Sequence, residues 1–239
     1  MNVSSVVASA VSKTRIADPA SQLLLGLAPR ELDTVLRGAT KRQFRASSVV
    51  IRQGDPASQL FLLTRGRARY FFVTPEGRRI LLRWLAPGDV FGGIAILSRP
   101  SFYLVGTEVL RDGEAFAWDR AVIRSLAMQH PRLMDNALSI AADYIEWDLD
   151  LHSTLSGGSA RQKLASLLLR LAREIGQRVS GGIEVEVTNE DLAAASNLTL
   201  FTVSRLLSAL QKKGALVKSR GKVTLLTERS SVPNVDDLL

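Results

Sequence analysis

Two periods alternate along this chain, and the changes between them mark its parts. Ala28-Pro29-Arg30-Glu31 followed by LDTVLRGA spaces its apolar positions as a short amphipathic helix does. From Lys41 the period shortens. VVIRQGDPAS, QLFLLTRGRARYFFV, RRILLRWLAPGDVFGG and YLVGTEVL are apolar or alternating runs separated by Gly, Pro and Asp turns. That pattern predicts consecutive antiparallel strands in a sandwich or barrel over about Lys41 to Trp118. Between two of the runs, Thr74-Pro75-Glu76-Gly77 predicts a hairpin turn, with Gly77 taking a positive φ.

Helical spacing begins at Asp119, a predicted N-cap. DRAVIRSLAMQH forms one helix, broken at Pro131, and RLMDNALSIAADYIEWDLDLHSTL a longer one to about Leu155. Leu138, Ala142, Ile145, Leu149 and His152 step by 4, 3, 4 and 3, a heptad stripe, while Asp143, Glu146 and Asp150 lie on other faces. A helix packed on its own domain satisfies that stripe, and so does a parallel coiled coil at a two-fold dimer interface. Ser156-Gly157-Gly158-Ser159 breaks the helix and makes a hinge. ARQKLASLLLRLAREIG then predicts another amphipathic helix, and IEVEV a short strand after a Gly181-Gly182 turn.

The segment TNEDLAAASNLTLFTVSRLLSALQKKGALVKSRGKVTLL carries the sharpest local signals. Thr188 followed by Asp191 is a capping-box arrangement for a short helix over Glu190 to Ala195. Ser196-Asn197-Leu198 makes a turn, and Thr199 caps a second helix whose buried face is Val203, Leu206, Leu207 and Leu210. Leu200, Phe201, Ser204 and Arg205 then point outward from its first two turns. Two helices joined by a tight turn, the second with exposed N-terminal side chains, fit helix-turn-helix docking on DNA. ALVKSRGKVTLL closes as a hairpin around Arg220-Gly221, a wing that offers Lys218, Arg220 and Lys222 to phosphates.

Composition narrows the classes. The 239 residues suffice for about two domains, with 46% hydrophobic and 23% charged content typical of a globular protein. The formal charge is +8, and residues 158–227 hold 11 Lys/Arg against 5 Asp/Glu, a local excess of +6 that concentrates the surplus in the C-terminal third. There is no cysteine, which excludes disulfides, thiolate-bound zinc and cysteine-held iron–sulfur clusters. No window approaches the ~20 apolar residues of a membrane span, and the first residues lack a signal-peptide pattern, so a cytoplasmic protein without a membrane partner is expected. No nucleophile–base–acid grouping, metal-ligand cluster or phosphate loop stands out, so no enzyme and no metal site is expected.

The C-terminal segment resembles the DNA-binding domain of the Crp/Fnr regulators, and Thr202-Val203-Ser204-Arg205-Leu206-Leu207 matches that family's recognition-helix pattern. The strand region resembles its cyclic-nucleotide-binding-like domain: Gln53-Gly54-Asp55-Pro56-Ala57, Leu62-Leu63-Thr64-Arg65-Gly66 and Leu85-Ala86-Pro87-Gly88-Asp89-Val90-Phe91-Gly92 stand in the family's order. The resemblance spans about residues 20–227 and implies an α+β chain: an N-terminal antiparallel β-barrel of jelly-roll type, a long dimerisation helix and a C-terminal winged helix-turn-helix. The implied boundaries are a tail over 1–18, a sensor domain over 19–130, the dimerisation helix over 131–156, the DNA-binding domain over 157–227 and a tail over 228–239. Implied partners are double-stranded DNA, a second copy of the chain and RNA polymerase.

Carried over by resemblance, Arg205 reads a guanine, and Thr199, Thr202 and Ser204 make backbone or neighbouring contacts. The sequence departs from the family where Phe201 replaces a frequent cytosine-reading Glu and Leu200 a frequent Arg; Phe201 against a thymine methyl is the expectation. In cyclic-AMP-binding relatives a Gly-Glu pair holds the ribose and an Arg-Ser pair the phosphate. The corresponding places hold Gly93, Tyr103 and Leu104, so usual-mode cyclic AMP binding is not expected. Phe91, Gly92, Gly93, Ile94, Ile96, Phe102, Tyr103 and Leu104 are candidates for an effector pocket, and ordinary barrel core is the competing reading. Haem stays open as a cofactor through His130 or His152, although His130 is equally a helix C-terminal residue and His152 a heptad residue. The remaining alternatives are a constitutive regulator with a degenerate barrel and a cyclic-nucleotide-binding module with no DNA output.

Overall fold

The computed structural model describes residues 21–77, 79–99 and 101–227, without the side chains of 147, 148 and 150–157. The expected tails, 1–18 and 228–239, lie outside the described residues, as does the side chain of His152. The described residues divide into two compact units between Ile145 and Glu146.

The N-terminal unit begins with a 3-10 turn at Gln22–Leu24 and helix α1 (Pro29–Arg37), whose proline occupies the first helical turn, where no amide partner is lost. Six strands follow: β1 (Thr40–Phe44), β2 (Val49–Ile51), β3 (Gln59–Val73), β4 (Arg79–Leu85), β5 (Val90–Phe91) and β6 (Gly106–Asp119). They form one antiparallel sheet in the order β1-β6-β3-β4, with β2 on β6 and β5 on β3. The hairpin between β3 and β4 turns at Gly77 with φ 81°, as its sequence predicts. β3 and β6 are too long to stay flat. Their register slips around Gly66 and Gly113, where a Cβ on Gly66 would stand 2.6 Å from the Gly113 Cα, so the bend requires glycine.

Inside the sheet lie Leu60, Leu62, Leu85, Phe91 and Trp118, joined by Leu23, Val35, Ile123 and Leu133 from the helices. Phe61 stacks on Phe91 with ring centroids 4.7 Å apart. The Trp118 indole N–H donates to the Val35 carbonyl at 2.7 Å, and the Asn136 amide donates to the carbonyls of Leu23 and Leu25, both at 2.9 Å. These buried polar groups are satisfied and at the same time tie the flanking helices to the barrel.

Helix α2 (Arg120–Gln129) follows β6 directly, and helix α3 (Pro131–Gly157) begins on the proline that ends α2. Asp119 stands at the N-cap of α2, but its carboxylate accepts the Gln59 amide at 2.7 Å and makes no capping bond. α3 carries two stripes. Leu133, Ala137, Ile140 and Tyr144 pack on the barrel of their own chain, while Leu138, Ala142, Ile145 and Leu149 are exposed. The heptad stripe is therefore not the face that α3 buries against its own domain.

The C-terminal unit contains α4 (Ala160–Ile175), β7 (Gln177–Val179), β8 (Gly182–Glu186), α5 (Asn189–Ser196), α6 (Leu200–Lys212), β9 (Leu216–Ser219) and β10 (Lys222–Leu226). Its sheet runs β7-β8-β10-β9. Ser159 and Gln162 cap α4 reciprocally, so the hinge sequence also sets the start of the next helix. Strand β7 was not foreseen: three residues, Gln177-Arg178-Val179, are too few to show an alternation.

Candidate nucleic-acid interface and sensor site

The two-helix corner is assembled by bonds between near neighbours. Thr188 Oγ1 accepts the Asp191 amide at 3.1 Å while the Asp191 carboxylate accepts the Thr188 hydroxyl at 3.0 Å, which fixes the start of α5. The buried Ser196 hydroxyl returns to the Leu192 carbonyl at 2.6 Å. Asn197 ends the helix with φ 52°, a left-handed conformation that Asn tolerates better than most residues. Thr199 Oγ1 then accepts the Thr202 amide at 3.1 Å and starts α6. Val203, Leu207 and Leu210 are buried, and Leu206 is half-buried.

Of the residues expected to face outward, Leu200 is 48% exposed and Phe201 76% exposed; Arg205 is exposed and Ser204 half-buried. The Thr199 and Thr202 hydroxyls lie 2.9 Å apart and bond to one another, so the cap uses both. The wing forms as expected, with Arg220 and Gly221 at its tip and Ser219 paired to Lys222. Arg220 is exposed and Lys218 half-buried. Lys222 departs from expectation. Its ammonium lies 2.7 Å from the Glu184 carboxylate on β8, a pair made by strand alignment between residues that the sequence keeps far apart.

The sensor candidates do not form one lining. Phe91 and Ile96 are core residues, and Ile94 packs partly against them. Gly92 has φ 72°, and a Cβ there would meet the Gln59 carbonyl at 2.7 Å, so it serves the turn. Tyr103 is buried, its hydroxyl donating to the Gln59 carbonyl at 2.7 Å and accepting the Gln59 amide at 2.9 Å. Phe102 and Leu104 point outward, 62% and 70% exposed, because the segment is irregular apart from the single bridge of Phe102 to Pro56.

A different cluster joins the barrel to α3. Thr107, Tyr70 and Arg83 are aligned across β6, β3 and β4 and share a sheet face. Tyr144 of α3 meets Tyr70 edge to face at 6.1 Å, and the Arg83 guanidinium lies over the Tyr144 ring at 4.5 Å. Both phenols donate to one acceptor, the Val90 carbonyl, at 3.2 Å from Tyr70 and 3.0 Å from Tyr144. Burial, with smaller effects from Tyr144 and Asp89, holds the Tyr70 phenol well above its ordinary pKa. The Thr107 hydroxyl beside it is buried without a hydrogen-bond partner. Sequence reading missed this cluster; the signal available was that Tyr144 lies off the heptad stripe.

Of the histidines, His130 directs Nδ1 to the Glu31 carboxylate at 3.3 Å, and its Nε2 is buried and unpartnered. It stands at the C-cap of α2, as its position predicts, but its ring contact is with Glu31 of α1. Among the described residues no cluster of three or more His, Cys, Asp or Glu could hold a metal ion, and no helix is long and apolar enough to cross a membrane.

Residues 41–130 match the model of the cyclic nucleotide-binding domain, and residues 162–229 that of the Crp-like helix-turn-helix domain. The cyclic AMP receptor protein of Thermus thermophilus is 30% identical over 204 residues, spanning 85% of this chain and 91% of that protein. This chain belongs to the Crp/Fnr family. It is a DNA-binding transcription regulator with a sensor domain, in a family of regulators and not of enzymes. Solved structures share the fold: FixK2 from Bradyrhizobium japonicum, with TM-score 0.70 and 24% identity over 84% of this chain and 95% of that one, and the c-di-GMP responsive regulator CLP of Xanthomonas campestris, with TM-score 0.71 and 17% identity over 84% and 100%.

For a Crp/Fnr sensor, the residues at the usual ribose and phosphate places do not fit a cyclic nucleotide. Gly93 brings no carboxylate, the Tyr103 hydroxyl is engaged with Gln59, and Leu104 is an uncharged side chain that faces outward. A phosphodiester buried there would lack the charge-assisted bonds that offset its desolvation.

Proposed function

We propose that this Crp/Fnr regulator acts as a homodimer on a pseudo-palindromic DNA site, with α6 of each protomer in the major groove. The observation that carries the reading is the outward stripe of α3. Leu138, Ala142, Ile145 and Leu149 remain exposed in a chain whose other α3 stripe is already used on the barrel. Pairing two such stripes about a two-fold axis buries them and gives two recognition helices for successive major grooves about 34 Å apart. Arg205 reads a guanine by two hydrogen bonds, and Ser204, Thr199 and Thr202 lie along the same approach. Arg220 and Lys218 meet phosphates; Lys222 contributes less because Glu184 already pairs with it.

Control of DNA affinity is assigned to the Tyr70–Arg83–Tyr144 cluster, because it is where the barrel holds α3. A ligand reaching Thr107 and drawing Tyr144 off the Val90 carbonyl would bias the helix between two positions, which is what allosteric coupling requires. A second reading has its own support. The two phenols share one carbonyl and Arg83 stacks on one of them, so the chain's own side chains supply the polar contacts an effector would make. On that reading the regulator is constitutive. The relatives named for cyclic AMP and for c-di-GMP share this scaffold, so the scaffold does not choose the signal.

Selection of duplex sites with purified protein and no added ligand tests both. A two-fold symmetric motif lost in Arg205→Ala supports the dimeric regulator and, with mass spectrometry showing no carried-over molecule, the constitutive reading. Enrichment only after a ligand is supplied selects effector control. Identical motifs from the wild type and Arg205→Ala would reject α6 as the reading helix.

A further inference from the structure

The leading edge of α6 is apolar where a base-reading helix ordinarily offers hydrogen bonds. Leu200 and Phe201 occupy its first turn, and Phe201 is the more exposed of the two at 76%. The polar groups of the same turn are partly engaged in the cap, since Thr199 accepts the Thr202 amide and the two hydroxyls bond to each other. Phe201 and Arg205 are four residues apart and so share a face, about 6 Å apart along the axis.

An aromatic ring pressed against a base edge neither donates nor accepts. Against guanine O6 and N7, or the amino group of cytosine, it would strip water from a polar atom and return nothing, which is costly. The pyrimidine C5-methyl group is the apolar feature of the major-groove edge, and burying it with the ring is favourable.

We propose that Phe201 makes this protein a reader of the C5-methyl group, in a half-site that places a 5-methylpyrimidine within about two base-pair steps of the guanine bound by Arg205. Thymine supplies that methyl in ordinary DNA. 5-Methylcytosine supplies the same group, and Phe201 has no polar atom with which to tell O4 from N4. Methylation of a cytosine at this position therefore strengthens binding. Leu200 widens the apolar edge beside the ring. The proposal rests on α6 being the recognition helix, and the test separates the two.

The full-length chain is used to select its own site, and affinities are measured by fluorescence anisotropy on synthetic duplexes. Each thymine of the half-site is replaced by uracil in both half-sites, which removes the methyl and nothing else. At one position the wild type is expected to lose roughly tenfold in affinity. A cytosine duplex at that position gains a similar factor on C5 methylation. Phe201→Ala binds the thymine and uracil duplexes equally, and Phe201→Leu keeps part of the preference; both substitutions are at an exposed position, and circular dichroism confirms the fold. Arg205→Ala binds more weakly overall and relaxes the guanine preference but keeps the methyl preference.

The proposal is overturned if uracil is harmless at every position, or if the preference survives in Phe201→Ala. If Phe201→Ala leaves DNA affinity intact and changes the oligomeric state, the exposed ring belongs to a protein contact and the proposal fails in that direction. If Arg205→Ala selects the same site as the wild type while the methyl preference is lost in Phe201→Ala, Arg205 is not the base reader and the methyl reading stands. If neither substitution changes the selected site, α6 does not read the bases and the proposed function falls as well.

Discussion

In the C-terminal unit the side chains that matter stand on the outside of one short helix. Phe201 and Arg205 are held in place by caps and a turn, and are exposed. In the N-terminal unit the chemically distinctive side chains are engaged within the fold: the Tyr70 and Tyr144 phenols donate to the Val90 carbonyl, and the Arg83 guanidinium lies over the Tyr144 ring. The C-terminal unit leaves its proposed reading groups exposed, and the N-terminal unit engages its polar groups internally. A helix can present a reading face with i to i+4 spacing alone, whereas a cavity is defined by strands and a helix arriving from different parts of the chain. The difference explains why the output of this regulator is easier to assign than its input.

Breaking the proposed pairing of two protomers should have the largest effect. Leu138→Glu combined with Ile145→Glu places charges on the outward stripe of α3. The expected outcome is a folded monomer by analytical ultracentrifugation, with specific DNA affinity lower by about 10²-fold or more as the second half-site is lost. A dimer that persisted would remove α3 as the interface. Arg205→Ala comes next, at about 1–3 kcal/mol per half-site with relaxed choice at one base pair and an unchanged melting temperature.

The inward cluster should respond in stability before it responds in binding. Tyr144→Phe removes one hydrogen bond to Val90 and should cost about 1 kcal/mol by denaturant titration. A change in DNA affinity without added ligand would in addition show that the cluster sets the active state. Burial raises the Tyr70 pKa, so its contribution is complete below the ordinary phenol value of about 10 and is lost as pH rises from there toward the folded value. Tyr70→Phe should flatten that alkaline limb of a stability–pH curve.

On the wing, Arg220→Ala should lower the slope of log affinity against log salt by about one for each half-site, and Lys222→Ala by less, because Lys222 begins paired to Glu184. Equal slopes would mean the pair opens on DNA. The smallest effect belongs to Glu31, whose carboxyl is held below its ordinary value by the Ala28 amide and then by His130. Its contribution is present above the ordinary carboxylate range and is lost as pH falls through the lowered value, so Glu31→Gln should matter at neutral pH and vanish in acid.

What the sequence determined by itself was whatever depends on neighbours within a turn or so. The Thr188 and Thr199 caps, the turn at Asn197, the hairpin at Gly77 and the outward set Leu200, Phe201 and Arg205 follow from spacings of one to four residues, and the structure shows them where the spacings put them. The strand region and the heptad stripe were legible through their periods. Which stripe of α3 faces its own barrel was open until Tyr144 was seen against Tyr70.

Tertiary structure alone decided the rest. Phe102 and Leu104 stand among the pocket candidates through their place in the family resemblance, and both turn outward, because an irregular segment follows no alternation. Lys222 met Glu184 through the pairing of β10 with β8, and Val90 gathered phenols from positions 70 and 144. Such contacts join residues whose separation along the chain carries no period. They are chosen by how strands align and how side chains fill the space between them, and only the folded chain makes that choice.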